Sequence, residues 1–332
     1  MKKIFLFAAT ALFSMGICAQ SNYKMRVLKT DGSEFFYKTS EVEKVDFVED
    51  DNQQGGQQQE EQTLKVFLSG DNPNYDGQCQ VTTMKNVGPN GACWLNYPSQ
   101  MSNDPNVKHG VIIWGPGGGE KPGNYPNMIK RLVSHGFVVL ELKESPGDGL
   151  SAIAAINWLE EKNNAADGPM SGKLIMDRIG CAGHSMGGLE SEQAWLKDKR
   201  VYTACLNNSG DLGHTAMSQM REGKSIAIVY GEAGMERPNA EADYNNNGVS
   251  CPACLVMLTG GPNTGEGGYG HGSGPWTGMA ATCAWMRWHI GREAQRKDAF
   301  TTPSGEFVSG NIVGAQGKWS GKWKNWENWV EK

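Results

Sequence analysis

The chain has 332 residues, 39% of them hydrophobic and 20% charged, with a formal net charge of −5. That length holds one large domain plus appendages. The acidic balance leaves no footprint for nucleic acid, which wants a clustered basic surface.

The first residues, Met1-Lys2-Lys3, form a short basic head. An apolar run from Ile4 to Ile17 follows, then Cys18-Ala19-Gln20. The run is too short to span a bilayer, and the pattern reads as a secretory signal peptide over 1–19, cleaved after Ala19. Acylation of Cys18 is the weaker reading, because bulky Ile17 stands where lipoprotein signals carry a small residue. No other segment approaches membrane-spanning length. The mature chain is expected to be soluble and exported, to the periplasm or beyond.

Residues 24–48 alternate apolar and polar side chains around Asp31-Gly32, which predicts a small β-hairpin element within 20–50. Asp50 to Gln62 is a Gln/Gly-rich polar linker with nothing to bury. The main domain is expected over 63–300. It opens with strand-like runs at Leu64–Leu68 and Gln80–Thr83 and an Asn/Pro/Gly-rich loop.

From His109 strand and helix alternate. Strands are predicted at Gly110–Trp114, Phe137–Leu142, Tyr202–Asn207, Ser225–Tyr230 and Leu255–Thr259, besides one over Arg178–Ala182. Helices are predicted at Asn124–Ser134, Leu150–Glu161, Gly188–Leu196 and Trp276–Ile290, the last with one buried stripe of Trp276, Met279, Cys283, Met286 and Ile290. Short apolar strands between amphipathic helices predict an α/β fold, a mostly parallel sheet covered on both faces. The Trp-rich extension, 301–332, spaces Trp319, Trp323, Trp326 and Trp329 as an amphipathic helix packed on the domain would, an aromatic platform for sugar rings being the alternative.

Once Cys18 leaves with the signal, seven of the eight cysteines remain, an odd number in an oxidising compartment. Cys181 and Cys205 lie on apolar strands and read as buried thiols. Cys79 and Cys93 bracket a Gly/Asn-rich turn and are the expected disulfide. Cys251-Pro-Ala-Cys254 lacks the second ligand pair of a metal site and reads as structural.

Chemistry concentrates at Gly183-His184-Ser185-Met186-Gly187, followed by Gly188. This is a G-x-S-x-G nucleophile elbow, which needs a strand, a sharp strained turn carrying the serine, and then a helix. A serine hydroxyl needs a base, and the base an orienting carboxylate. His271, on a glycine-rich loop between the last strand and the last helix, is the expected base, with His214 its only rival. His184 is expected to point away from the site. His109 and His135 border strands in turns, and His289 sits beside the buried stripe.

The acid should follow the strand at 225–230. Three residues beyond Gly231, where the aspartate usually stands, is Gly234. Glu236 is therefore the first candidate, Asp211 the alternative and Glu232 the third. Trp114-Gly115-Pro116-Gly117-Gly118-Gly119 offers bare backbone N–H groups, so Gly118 and Met186 are the expected oxyanion donors. The segment lacks the Gly-Lys-Ser/Thr of a phosphate loop. Trp114 and Trp276 flank these loops, as an aromatic wall or as core packing.

Pro116-Gly117, Leu132 to Val139, Asp177-Arg178-Ile179-Gly180, the elbow and Gly270-His271-Gly272 together resemble the cutinase and polyester-hydrolase branch of the α/β-hydrolases, and secreted esterases of polysaccharide-degrading bacteria. The resemblance covers residues 105–292. The N-terminal piece is similar to short leader modules of secreted Bacteroidetes-type proteins, without implied chemistry. Carried over residue by residue, the main resemblance implies Ser185 as nucleophile, His271 as base, and Gly118 and Met186 as oxyanion donors, with no cofactor or metal. Gly234 is the departure. The implied activity is a serine ester hydrolase acting on acetyl or feruloyl esters of plant cell-wall polysaccharide such as xylan. A polyester or cutin hydrolase is the alternative, and a non-catalytic glycan-binding hydrolase fold stands third. A peptidase or C–C hydrolase on the same fold stands last.

Overall fold

The computed structural model of the chain describes residues 24–28, 34–38, 64–210, 224–247, 249–262, 267–327 and 329. The expected signal peptide, the Asp31-Gly32 turn and the polar linker lie outside the described residues. The chain divides into two units, Met1–Glu61 and Gln62–Lys332. In the first, β1 (Lys24–Leu28) pairs antiparallel with β2 (Glu34–Lys38).

The second unit is α/β. A ten-stranded mixed sheet has β4 (Val81–Val87), β5 (Cys93–Pro98), β7 (Val138–Glu141), β6 (Val107–Gly115), β8 (Leu174–His184), β9 (Val201–Asn207), β10 (Ser225–Gly231), β11 (Ala253–Thr259) and β12 (Lys318–Lys324) side by side, with β3 (Lys65–Val66) beside the start of β6. The strands from β7 to β11 run parallel, whereas β4, β5 and β12 are antiparallel to their neighbours.

Alternate residues of each strand feed two cores. Ile113, Leu206 and Ile228 go to one face, under α2 (Leu150–Asn164) and α3 (Met186–Lys197). Ile112, Val229 and Val256 go to the other, under α1 (Pro126–Ser134) and α6 (Met279–His289). Covered on both faces, β10 has no exposed residue, and its sequence Ser-Ile-Ala-Ile-Val-Tyr-Gly shows no polar alternation for that reason. No described helix is long and apolar enough to cross a membrane.

Five expectations change. A helix not expected, α4 (Arg237–Asn245), stands between β10 and β11. The loop after β4 contains a strand, β5, whose apolar run is short and interrupted by Asn96. The last helix is broken near Gly278 into α5 (Ser273–Trp276) and α6, which leaves Trp276 44% exposed and outside the stripe. Residues 280–290 are buried on every side, because Trp326 from the tail stacks on Trp288 at 4.6 Å. The tail itself is a strand, not a helix. A spacing of four is even, so Trp319 and Trp323 share one side of a strand as they would of a helix, and both pack on the second core.

The expected disulfide is absent: Cys79 and Cys93 are free thiols. Cys79 precedes the end of β4 at which Val81 faces Pro98, whereas Cys93 faces Val87 at the other end. About six residues of strand, roughly 20 Å, separate those ends. Cys251 and Cys254 are also free and buried, and burial pushes the Cys251 thiol up to about 12.

His109, His135, His184 and His289 are buried, and burial holds each imidazole below its ordinary value. They stay neutral in the folded chain while the unfolded chain takes up protons below about pH 6.5. Stability should therefore be fully present above that pH and fall as pH drops from about 6.5 towards 5, each histidine contributing up to about 1.4 kcal/mol per pH unit. Urea midpoints across that range check this; a flat profile would contradict it.

Candidate active site

The site gathers at the C-terminal ends of the parallel strands, where open α/β sheets leave a crevice. Ser185 stands between β8 and α3 with φ 54° and ψ −117°, the left-handed turn an elbow demands. The glycines around it are required by contact. A Cβ on Gly187 would overlap the Gly115 carbonyl at the end of β6, and one on Gly183 would overlap Gly187. The serine backbone is pinned twice: its N–H donates to Asn207 O (3.0 Å), and its carbonyl accepts from Ser209 Oγ (2.7 Å).

His271 follows β11 and precedes α5. Its Nδ1 donates to Glu236 Oε2 at 2.8 Å, so the single proton of the neutral ring sits on Nδ1 and Nε2 is left as the acceptor. The Glu236 side chain is 8% exposed, and that of His271 is 35% exposed. Asn208, itself at φ 48°, donates through Nδ2 to Glu236 Oε1 and to Gly270 O (3.2 Å), while its Oδ1 accepts from Gly274 N–H. One amide thus grips the carboxylate and both sides of the His271 loop.

Gly234 explains why the carboxylate comes from position 236. A Cβ on Gly234 would overlap Glu236 Oε1. The longer side chain folds back into the volume that a residue at 234 would occupy. Glycine at 234 and glutamate at 236 are a matched pair. Glu232 is engaged elsewhere, accepting from Thr259 Oγ1 (2.6 Å) and Gly261 N–H (3.0 Å). Asp211 and His214 lie outside the described residues.

His184 does not point away from the site. Its Nε2 donates to the His271 carbonyl at 3.0 Å, and its ring lies 4.7 Å from that of His271. A carbonyl can only accept, so the proton of His184 is on Nε2, and Nδ1 accepts from the Tyr125 hydroxyl at 3.0 Å. Tyr125 in turn accepts from Gly117 N–H at 2.9 Å. Burial pushes the Tyr125 hydroxyl up to about 12, which keeps it a donor, and burial lowers His184 and keeps it neutral. This chain ties the glycine-rich loop to the histidine loop through the residue before Ser185. Tyr125 and Asn208 carry no motif by which the sequence alone marks them; Asn208 lies in a run of polar residues, Asn207 to Ser209, at a strand end.

Gly118 lies against Met186: a Cβ on Gly118 would sit 3.4 Å from Met186 Cγ. Met186 is the first residue of α3, whose leading N–H groups have no intrahelical acceptor. The two expected donors therefore come from adjacent loops. The expected aromatic wall is halved. Trp114 is fully buried and packs its ring 5.2 Å from Tyr125, because strand alternation turns it into the second core. Trp276 is exposed beside the site, with its ring 5.5 Å from Tyr125 and 5.7 Å from His184. Among the described residues no group of three or more His, Cys, Asp or Glu side chains is arranged to hold a metal ion.

In comparisons with known proteins, no family model and no curated sequence matches the chain.

The pairing of positions 234 and 236 is testable through stability alone. Gly234→Ala should push the Glu236 carboxylate off its bonds to His271 and Asn208 and so cost about 1–3 kcal/mol. In a Glu236→Ala background the same substitution should cost far less. Denaturation of the four proteins gives the coupling; additive effects would contradict the shared volume.

Proposed function

We propose that the second unit is an α/β-hydrolase and that the chain is an exported serine ester hydrolase. The observation that carries this reading is the combination of a serine at positive φ between strand and helix with a His271–Glu236 pair tied to its neighbour by the His184–His271 bond. In the proposed reaction Ser185 Oγ attacks the ester carbonyl carbon while its proton passes to His271 Nε2. The N–H groups of Gly118 and Met186 stabilise the oxyanion, a contribution of about 10²–10³ in rate for each donor. The C–O bond to the alcohol breaks and His271 returns the proton to that oxygen. Water then attacks the acyl-serine by the same route, releasing the acid and free Ser185. Glu236 holds His271 in the tautomer this requires.

For the substrate we favour acetyl or feruloyl esters on plant cell-wall polysaccharide. The exposed Trp276 ring beside the site supports an aromatic acyl or a sugar ring there. The same ring is the observation that keeps a polyester substrate as the second reading, since an aromatic diacid presents an equally flat face. The non-catalytic glycan-binding reading drew its motive from Gly234. With Glu236 against His271 Nδ1, a carboxylate is supplied from elsewhere and that motive falls away.

Ser185→Ala should reduce hydrolysis of p-nitrophenyl acetate to the uncatalysed background, and Glu236→Gln should lower kcat roughly 10⁴-fold, as loss of the orienting carboxylate does in triads. Near-parental turnover by Ser185→Ala would reject the assignment. Acetate or ferulate released from arabinoxylan by the parent chain and not by Ser185→Ala would identify the acyl group.

A further inference from the structure

A cavity of about 590 Å³ lies away from Ser185, on the sheet face shared by β4, β5 and β7. Along β5 the residues alternate: Cys93 and Leu95 enter the first core, while Trp94 and Asn96 line this cavity. Sheets covered by helices are apolar on both faces. Here the face instead carries Thr83, Lys85, Trp94, Asn96 and Glu141, and α1 covers it only in part.

Two of these polar groups are buried, Asn96 at 3% and Glu141 at 2% exposure. A carboxylate and an amide removed from water cost stability unless they are satisfied, and these are linked in a row. Thr83 Oγ1 donates to Asn96 Oδ1 (2.7 Å), Asn96 Nδ2 donates to Glu141 Oε1 (2.9 Å), and Gly123 N–H donates to Glu141 Oε2 (2.8 Å). The row still has unused capacity. Asn96 has a second N–H, and each carboxylate oxygen and the threonine hydroxyl retain a lone pair. At one side Lys85 Nζ rests over the Trp94 ring, 4.2 Å from its centroid. Charge in the cavity is balanced, Lys85 and Lys130 against Glu141 and Asp76, with Lys130 paired to Asp76 at 2.7 Å.

A neutral ligand carrying several hydroxyls and one flat apolar face fits these features. We infer that this cavity is a binding site for a neutral pyranose oligosaccharide, separate from the Ser185 site. One ring stacks on Trp94 in the place of the Lys85 ammonium. Its hydroxyls donate to Glu141 and Thr83 and accept from Asn96. The volume lies within the range of natural small-molecule sites. The inference goes beyond the ester-hydrolase reading and does not need it, although both sites border the segment 117–126: Gly117 N–H faces Tyr125, and Gly123 N–H faces Glu141.

Isothermal titration of the full chain with xylohexaose tests it. The parent should bind at one site. Trp94→Ala should weaken binding at least about tenfold, the loss typical of a central aromatic anchor. Lys85→Ala, which clears the ring, should bind as tightly or more tightly. Thr83→Val, at an exposed and isosteric position, should weaken binding about threefold, which keeps the test open if Trp94→Ala fails to fold. No binding by the parent, equal binding by folded Trp94→Ala, or a tenfold loss in Lys85→Ala would each overturn the inference, as would unchanged binding by Thr83→Val. Turnover of p-nitrophenyl acetate by the parent reports on Ser185 separately, so failure of either reading is seen without the other.

Discussion

The close approach of α3 to the end of β6 governs the candidate site. Backbone meets backbone there: Gly187 lies against Gly115, and Gly183 against Gly187, with no room for a Cβ on either. Only at that distance does the chain turn sharply enough to hold Ser185 at φ 54° at the head of the helix. The strain of such a turn, of order 1–3 kcal/mol, persists because surrounding bonds over-determine it. Those bonds come from elsewhere in the sheet, from Asn207 at the end of β9 and from Ser209 just beyond it. Ser191 Oγ donates to Gly187 O at 2.7 Å and locks the first turn of α3 from inside.

Around that turn, loops from the ends of β6, β9, β10 and β11 are joined by hydrogen bonds whose directions are fixed by chemistry. Gly117 N–H, Tyr125, His184 and the His271 carbonyl form one line, and Asn208 with Glu236 and His271 forms another. Each histidine has one proton to place, and each placement is dictated by a partner that only donates or only accepts. In a low-dielectric setting such satisfied networks are rigid, and a missing member exposes the cost of the rest. His184 therefore holds the backbone of the residue that pairs with Glu236.

The sheet edges are managed by composition. β12 closes one side with Lys318 and Lys322 exposed on one face and Trp319 and Trp323 turned the other way into the second core, while the segment at Gly310 and Asn311 covers part of its outer edge. Charged edge strands resist pairing with other chains. The opposite edge, β4, is polar on the face that meets the cavity, and there too the two-faced apolar pattern of the sheet breaks off.

Periodicity marks the α/β class, the strands from residue 109 to 259 and the helices up to residue 197, because buried parallel strands must be short, apolar and separated by amphipathic helices; it misses α4, whose sequence Arg-Pro-Asn-Ala-Glu-Ala-Asp-Tyr-Asn is largely polar. It also fixed Ser185 as the elbow residue, since the flanking glycines are a local steric demand. His271 stood out by its place between the last strand and the last helix. Helix and strand coincide at a spacing of four, so the tail tryptophans fit either. Buried and exposed tryptophans look alike in sequence, so Trp114 and Trp276 were not separated. A disulfide between Cys79 and Cys93 looked plausible because loop spacing says nothing of strand direction. Which carboxylate meets His271, and that His184 and Tyr125 hold its loop, depends on atoms brought together across 35 to 87 positions of chain. Only the folded sheet, which sets those loops side by side at its strand ends, decides such contacts.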